Sequence, residues 1–178
     1  MNHPITKHVY FAREHENTPN KKYVFSGEIA IGLNNEVLLS SPLGSCVAVV
    51  AFEEEKRIGG MAHVMLPGSA PDTQIRNKKL YAFNAINFLI KSLKQKGARL
   101  KNIKACIVGG ANVLKKENDF ISKELTDSII NILGEKQIPI TASAVGGFER
   151  RVAIFNLYTK EVFYTEGDAD KTFLHKFD

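Results

Sequence analysis

Two kinds of side chain here, a thiol and an imidazole, suit covalent chemistry at neutral pH. Cys46 follows Leu43-Gly44-Ser45 and precedes the apolar run Val47-Ala48-Val49-Val50-Ala51-Phe52, so it stands where a loop becomes a strand. Backbone N–H groups at such a junction are not yet committed to a ladder and can hold the oxyanion of an acyl-transfer intermediate. Those of Ser45 and Cys46 are the candidates. The other cysteine, Cys106, lies in the middle of Ile103-Lys104-Ala105-Cys106-Ile107-Val108 and reads as a small buried hydrophobe. His63 falls within a second apolar run, residues 58–66, ended by Pro67-Gly68. On its own, a histidine in such a strand is a core residue satisfied by its neighbours.

The connection between the two runs changes that reading. Glu53-Glu54-Glu55-Lys56-Arg57 is a short charged turn, so the runs form a β-hairpin. A turn centred between Glu54 and Glu55 puts Cys46 directly opposite His63, and opposite residues share a face with Cβ atoms about 5 Å apart. A thiol of pKa near 8.5 is only slightly ionised at neutral pH, and an adjacent imidazole raises the thiolate fraction. A third group should orient the ring. The acids at 53–55 sit at the far turn, which leaves the hydroxyls of Ser40 and Ser41, otherwise ordinary turn residues before Pro42-Leu43-Gly44. Gly109-Gly110 lacks the spacing of a phosphate cradle and reads as a strand-ending turn, as does Gly146-Gly147.

The elements that must position these groups follow from the pattern. Residues 23–32 read as one strand and residues 36–39 as another, with further strands at 103–108, 138–145, 151–157 and 161–164. A long helix is expected from Asp72 or Thr73 to Lys96, stopped by Gly97, and a second over residues 119–133. About seven strands and two main helices with hairpin-length connections make an α+β fold, mixed but mostly antiparallel. Residues 1–22 are polar and aperiodic and read as a flexible extension, and residues 23–178 read as a single domain.

Composition narrows the function. Hydrophobic residues are 44% and charged residues 24% of 178, ordinary for a globular domain, and no apolar run reaches the roughly 20 residues that span a bilayer. No membrane insertion is expected. Two cysteines with no CxxC fit a reducing, cytoplasmic setting better than a disulfide framework or a zinc site. The net charge of +5 is uneven: residues 73–116 hold eleven Lys and Arg and no acid. That stretch is a solvated helix face or a surface for an acidic protein partner, and no nucleic-acid motif accompanies it.

The segments Gly27-Glu28, Leu43-Gly44-Ser45-Cys46-Val47-Ala48-Val49, Gly59-Gly60-Met61-Ala62-His63-Val64-Met65-Leu66-Pro67, Gly109-Gly110-Ala111 and Val145-Gly146-Gly147 with Arg150-Arg151-Val152 occur in one order. Together they strongly resemble the CheD family of chemoreceptor glutamine deamidases, over about residues 23–165. The resemblance implies the cysteine hydrolase fold shared with the catalytic domain of the cytotoxic necrotizing factor toxins. It also implies hydrolysis of chosen glutamine side chains on chemoreceptor cytoplasmic helices to glutamate, with no metal or cofactor. Cys46 falls on the family nucleophile and His63 on its base. The third member is a threonine in the family, at a place held here by Ser40 or Ser41, with Ser40 favoured because its even spacing from Cys46 keeps the same parity along an extended chain. A partnership with the CheC phosphatase is implied as well. The alternative function is a binding module that mainly regulates a CheC-type phosphatase, and a third reading is a cysteine hydrolase of some other protein. The N-terminal extension and residues 115–119 depart from the family pattern.

Overall fold

The computed structural model describes residues 19–73, 76–115, 117 and 120–178. The elements in chain order are β1 (Asn20–Val24), β2 (Ile29–Leu33), β3 (Glu36–Ser40), β4 (Val47–Glu53), β5 (Ile58–Val64), α1 (Ala82–Gln95), β6 (Ile103–Gly109), α2 (Phe120–Glu135), β7 (Ile140–Val145), β8 (Arg151–Asn156), β9 (Glu161–Glu166) and β10 (Thr172–Lys176). They build two five-stranded sheets. One has the order β1-β3-β8-β9-β10 and the other β2-β5-β4-β6-β7. The β1–β3 and β6–β7 pairs are parallel and the remaining pairs antiparallel. The α+β class expected from the sequence is the class observed.

Three layers result, and the middle one explains the apolar runs. Strands β4 and β5 are buried along their whole length. Ala48, Val50, Phe52 and Met61 face the first sheet, where they meet Leu38, Phe155, Leu157 and Val162. Val47, Val49, Ala51, Ala62 and Val64 face the other way, onto Ile86, Leu89 and Leu93 of α1 and Leu125 and Ile129 of α2. A strand covered on both faces needs apolar residues at every position, which removes the alternation of a half-exposed strand. His63 is the one imidazole in this wholly buried layer, at 0% exposure.

The chain crosses twice from the first sheet to the second, between β1 and β2 and between β3 and β4. The first crossing corrects the reading of residues 23–32 as one strand: β1 ends at Val24, and a turn at Ser26-Gly27 sends β2 into the other sheet. Strand β1 begins at Asn20, three residues before the expected Tyr23, and residues 1–18 lie outside the described residues. Helix α1 starts at Ala82, about ten residues later than expected. Tyr81 is held extended in a bridge to Leu66, Leu66 N–H donates to the Leu80 carbonyl and Ala82 N–H to the Leu66 carbonyl, so the chain must return to the end of β5 before a helix can begin. Gly134 lies inside α2, which ends at Glu135 with Gln137 in the left-handed region. Strand β10, absent from the sequence expectations, adds Phe177 at its end to a cluster with Phe52 and Phe155, ring centroids 5.3–5.8 Å apart.

Packing at two glycines gives opposite expectations. A Cβ on Gly59 would lie 2.4 Å from the Phe155 ring, whereas one on Gly134 meets nothing within 4 Å. Gly59→Ala is expected to destabilise by about 1–3 kcal/mol through overpacking. Gly134→Ala, exposed in the last turn of α2, should stabilise by up to about 0.5–1 kcal/mol. Urea denaturation curves of the two variants check both signs.

Candidate active site

Cys46 ends the second crossing, and three loops fix its backbone. Leu43 exchanges two hydrogen bonds with Arg151 at the start of β8, N to O at 2.7 Å and O to N at 2.9 Å. The Gly44 carbonyl accepts from Ala111 N–H at 2.8 Å, and the Cys46 carbonyl accepts from Gly110 N–H at 2.8 Å. Gly109 has φ 118, and a Cβ there would lie 2.3 Å from the Cys46 carbonyl oxygen, so only glycine lets β6 end this close to the loop. With the carbonyls of Gly44 and Cys46 tied back, no carbonyl among the described residues takes the Ser45 or Cys46 N–H groups.

The side chain of Arg151 ties the loops to one another. It is 7% exposed, donates from one terminal nitrogen to the Gly146 carbonyl and from the other to Glu166, both at 2.5 Å, and lies over the Tyr164 ring. Gly146 N–H in turn donates to the Gly109 carbonyl at 3.0 Å. Beyond the place of Arg151 in a motif, no local pattern signals this role.

The hairpin expected between Cys46 and His63 exists, in a different register. His63 pairs with Ala48, and Glu53 pairs with Ile58, because the turn is centred between Glu55 and Lys56. Arg57 in the left-handed region and the Lys56 N–H on the Glu53 carboxylate (2.7 Å) shape that turn. A shift of two residues preserves the face. Cys46 packs with the cluster that holds Ala48 and Met61, on the side where His63 also points. The two are diagonal neighbours, with Cβ atoms roughly 7 Å apart for that geometry.

Hydrogen bonds set the state of the His63 ring. Nδ1 lies 3.2 Å from the Val24 carbonyl oxygen and 3.2 Å from Ser41 Oγ. A carbonyl can only accept, so the proton is on Nδ1 and Nε2 carries the free lone pair. Ser26 Oγ lies 3.5 Å from Nε2, long for a hydrogen bond. Ser26 belongs to the first crossing, and the sequence offered no signal for it.

The expectation that Ser40 orients His63 is corrected by this geometry. Ser40 Oγ is buried and accepts from Ala153 N–H of β8 at 2.9 Å. Parity along an extended chain stops counting at Ser40, where β3 ends, and the next hydroxyl swings to the imidazole. Ser41 N–H also donates to the Val24 carbonyl, at 3.0 Å. One oxygen thus holds both the ring and the serine beside it.

Burial pushes the Cys46 thiol up from its ordinary value, with its own backbone N–H pulling the other way. Burial also pulls the His63 imidazole down, against the Val24 carbonyl and the Glu28 carboxylate, which raise it. Both groups are therefore neutral at rest. A half-buried thiol on the same face as an imidazole that holds its proton on Nδ1, near N–H groups that no carbonyl among the described residues takes, suits cysteine–histidine acyl transfer.

The family model for CheD, "CheD chemotactic sensory transduction", matches residues 65–166. The chain belongs to the CheD family. A probable chemoreceptor glutamine deamidase CheD of Chlorobium luteolum is 37% identical over 153 residues, 86% of this chain and 76% of that protein. The chemoreceptor glutamine deamidase CheD of Thermotoga maritima is 34% identical, over 78% of this chain and 87% of that one. A probable chemoreceptor glutamine deamidase CheD of Clostridium acetobutylicum is 32% identical, over 72% and 84%. Among solved structures, the Bacillus licheniformis hypothetical protein YfiH is similar at TM-score 0.42 and 14% identity, over 75% of this chain and 61% of that one. The family match begins at Met65, two residues past His63, so the roles of Cys46 and His63 rest on the geometry.

Two outcomes follow from the hydrogen bonds and shifts. Because burial lowers the His63 value, the neutral ring persists below the ordinary histidine pKa of about 6.5, and kcat/KM should stay level through that pH and fall only below it. Ser41→Ala should lower kcat by roughly tenfold, the worth of one orienting hydrogen bond of about 1.4 kcal/mol, with KM unchanged. Ser40→Ala should leave kcat alone and cost about 1–3 kcal/mol of stability by orphaning the Ala153 N–H. Steady-state kinetics and urea melts of the two variants separate the serines.

Proposed function

We propose that the chain is a protein-glutamine deamidase that converts glutamine side chains of chemoreceptors to glutamate, through a thioester on Cys46. The observation that carries the chemistry is the His63 tautomer: Nδ1–H on the Val24 carbonyl leaves Nε2 to take the thiol proton. The Cys46 sulfur attacks the carboxamide carbon as that proton moves to Nε2. The developing oxyanion lies toward the N–H groups of Ser45 and Cys46. The imidazolium gives its proton to the leaving nitrogen, the C–N bond breaks, and ammonia departs from an acyl-thioester. Water enters, loses a proton to Nε2 and attacks the thioester, and the thiol regains its proton as the carboxylate leaves. The sum is amide plus water to carboxylate plus ammonium, and it consumes no cofactor.

The substrate assignment comes from the relatives, whose names specify chemoreceptor glutamine deamidase. The alternative, a binding module that mainly regulates a CheC-type phosphatase, is not favoured, since the relatives are named chemoreceptor glutamine deamidases. A CheC-type partner and a cytoplasmic setting remain part of this reading. No helix among the described residues is long and apolar enough to cross a membrane.

The basic stretch divides by position. Arg99 pairs with Glu55, and Lys96 lines a cavity with Glu36, both at the end of the sheets opposite Cys46. Lys101 precedes β6 at that same far end. A seven-residue strand separates these cations from the site by about 20 Å, twice the Debye length of about 10 Å at 0.1 M salt. Lys78 and Lys79 lie at the catalytic end instead.

Incubation with a receptor cytoplasmic fragment, read by peptide mass spectrometry, tests the function. Wild type should turn chosen glutamines into glutamates with release of ammonia. Cys46→Ala and His63→Ala should each abolish conversion, and the double variant should be little worse than either because the pair acts as a unit. Full conversion by Cys46→Ala would refute the nucleophile.

A further inference from the structure

We propose that the glutamine-bearing segment is read on both sides of Cys46, as an amphipathic helix. Its apolar side chains rest on a shelf of Val113, Leu114 and Ile121, and a carboxylate side chain meets Lys78 and Lys79. The inference rests on the deamidase reading and deepens it by naming what the substrate must present.

The shelf borders a cavity of about 250 Å³ whose other wall is Gly44 and Ser45, the two residues before the nucleophile. Leu114 is 74% exposed, Ile121 56% and Val113 40%, and Phe120 and Phe148 are also exposed at 63% and 57%. Isolated exposed apolar residues are ordinary, whereas a group gathered in one place marks an interaction site. Val113, Leu114 and Ile121 share their cavity with the Gly44-Ser45 loop, so whatever covers them lies alongside the reacting amide. The chain that carries that amide is the occupant the geometry demands.

On the other side, a cavity of about 500 Å³ is lined by Ser26, Glu28, Lys78, Lys79, Leu80 and Phe88 among others. It adjoins the imidazole: Ser26 Oγ faces Nε2, and Gly27 N–H donates to the His63 carbonyl at 2.9 Å. Lys79 Nζ sits 5.7 Å from the Phe88 ring centroid, which holds it at the cavity wall. The Glu28 carboxylate accepts from Phe25 N–H at 3.0 Å and is engaged there. Two ammonium groups against one engaged carboxylate favour an incoming acid. On a helix, residues three, four and seven apart share a face, with about 5–6 Å between neighbours and about 10 Å over two turns. A helical segment therefore carries apolar, target and acidic side chains on one face.

The reaction adds a consequence. Each turnover replaces a neutral amide by a carboxylate, so a segment already converted one turn from a second glutamine carries the acid that Lys78 and Lys79 attract. The second glutamine of such a pair should therefore react faster than the first.

Helical peptides with one target glutamine, apolar neighbours and either Glu or Gln one turn away on each side test this, with the receptor fragment as the reference substrate. At low salt, wild type should show several-fold higher kcat/KM for the Glu peptides. Lys78→Glu/Lys79→Glu should abolish or reverse that preference, while Lys94→Glu/Lys101→Glu at the far end should keep it. Leu114→Asp should raise KM for all peptides with kcat unchanged, and iodoacetamide should label Cys46 at the wild-type rate in every variant. No preference for Glu, a preference that survives in Lys78→Glu/Lys79→Glu, or a Leu114→Asp variant with unchanged KM would overturn the proposal. So would conversion of the receptor fragment but of no peptide. Failure of wild type on the receptor fragment itself would instead overturn the deamidase reading.

Discussion

A carbonyl oxygen has lone pairs and no proton, and at this site that constraint decides the chemistry. Val24 O receives Nδ1–H of His63 and N–H of Ser41, so the neutral ring carries its single proton on Nδ1. The contact also joins the sheets. Val24 closes β1 in one sheet, His63 lies in β5 of the other, and Ser41 begins the crossing that ends at Cys46. The site is thus a seam, and its geometry depends on how the two sheets are held together.

What holds them is the apolar layer between them, with Phe52, Phe155 and Phe177 at its far end and Leu38, Ala48 and Met61 nearer the site. That layer also sets the electrostatics. It removes water from one side of the imidazole and the thiol, which keeps both neutral. A neutral pair need not store a buried ion pair while it waits for substrate, and charge develops only when an amide lies between sulfur and ring. The N–H groups of Gly110 and Ala111 take the Cys46 and Gly44 carbonyls, and no carbonyl among the described residues takes those of Ser45 and Cys46.

Much of this was legible in the residues, and the failures have physical causes. Cys46 at a loop-to-strand junction and His63 across a charged turn were enough to place a thiol and an imidazole on one face. The register was misjudged by two residues because Arg57 takes a left-handed conformation, which lengthens the turn on one side and which no composition rule requires of an arginine. Period-two patterning tolerates that error, since a slip of two leaves every side chain on its face. The choice between Ser40 and Ser41 does not tolerate it. It depends on where β3 stops, and a one-residue difference there exchanges a catalytic neighbour for a buried hydroxyl on Ala153. The two sheet crossings, Ser26 and the Arg151 clamp came from long-range packing, which local sequence does not encode. The basic stretch was seen as one feature because it is continuous in sequence, yet the fold sends its cations to opposite ends of the molecule.

His63 rests as a neutral imidazole protonated at Nδ1, which leaves the Nε2 lone pair to accept a proton. Nitrogen-15 NMR of the histidine ring in the intact protein reads this directly. At pH 7, a protonated Nδ1 and a bare Nε2 are expected for His63. An Nε2–H tautomer, or an imidazolium already formed at neutral pH beside a Cys46 thiolate, would contradict it.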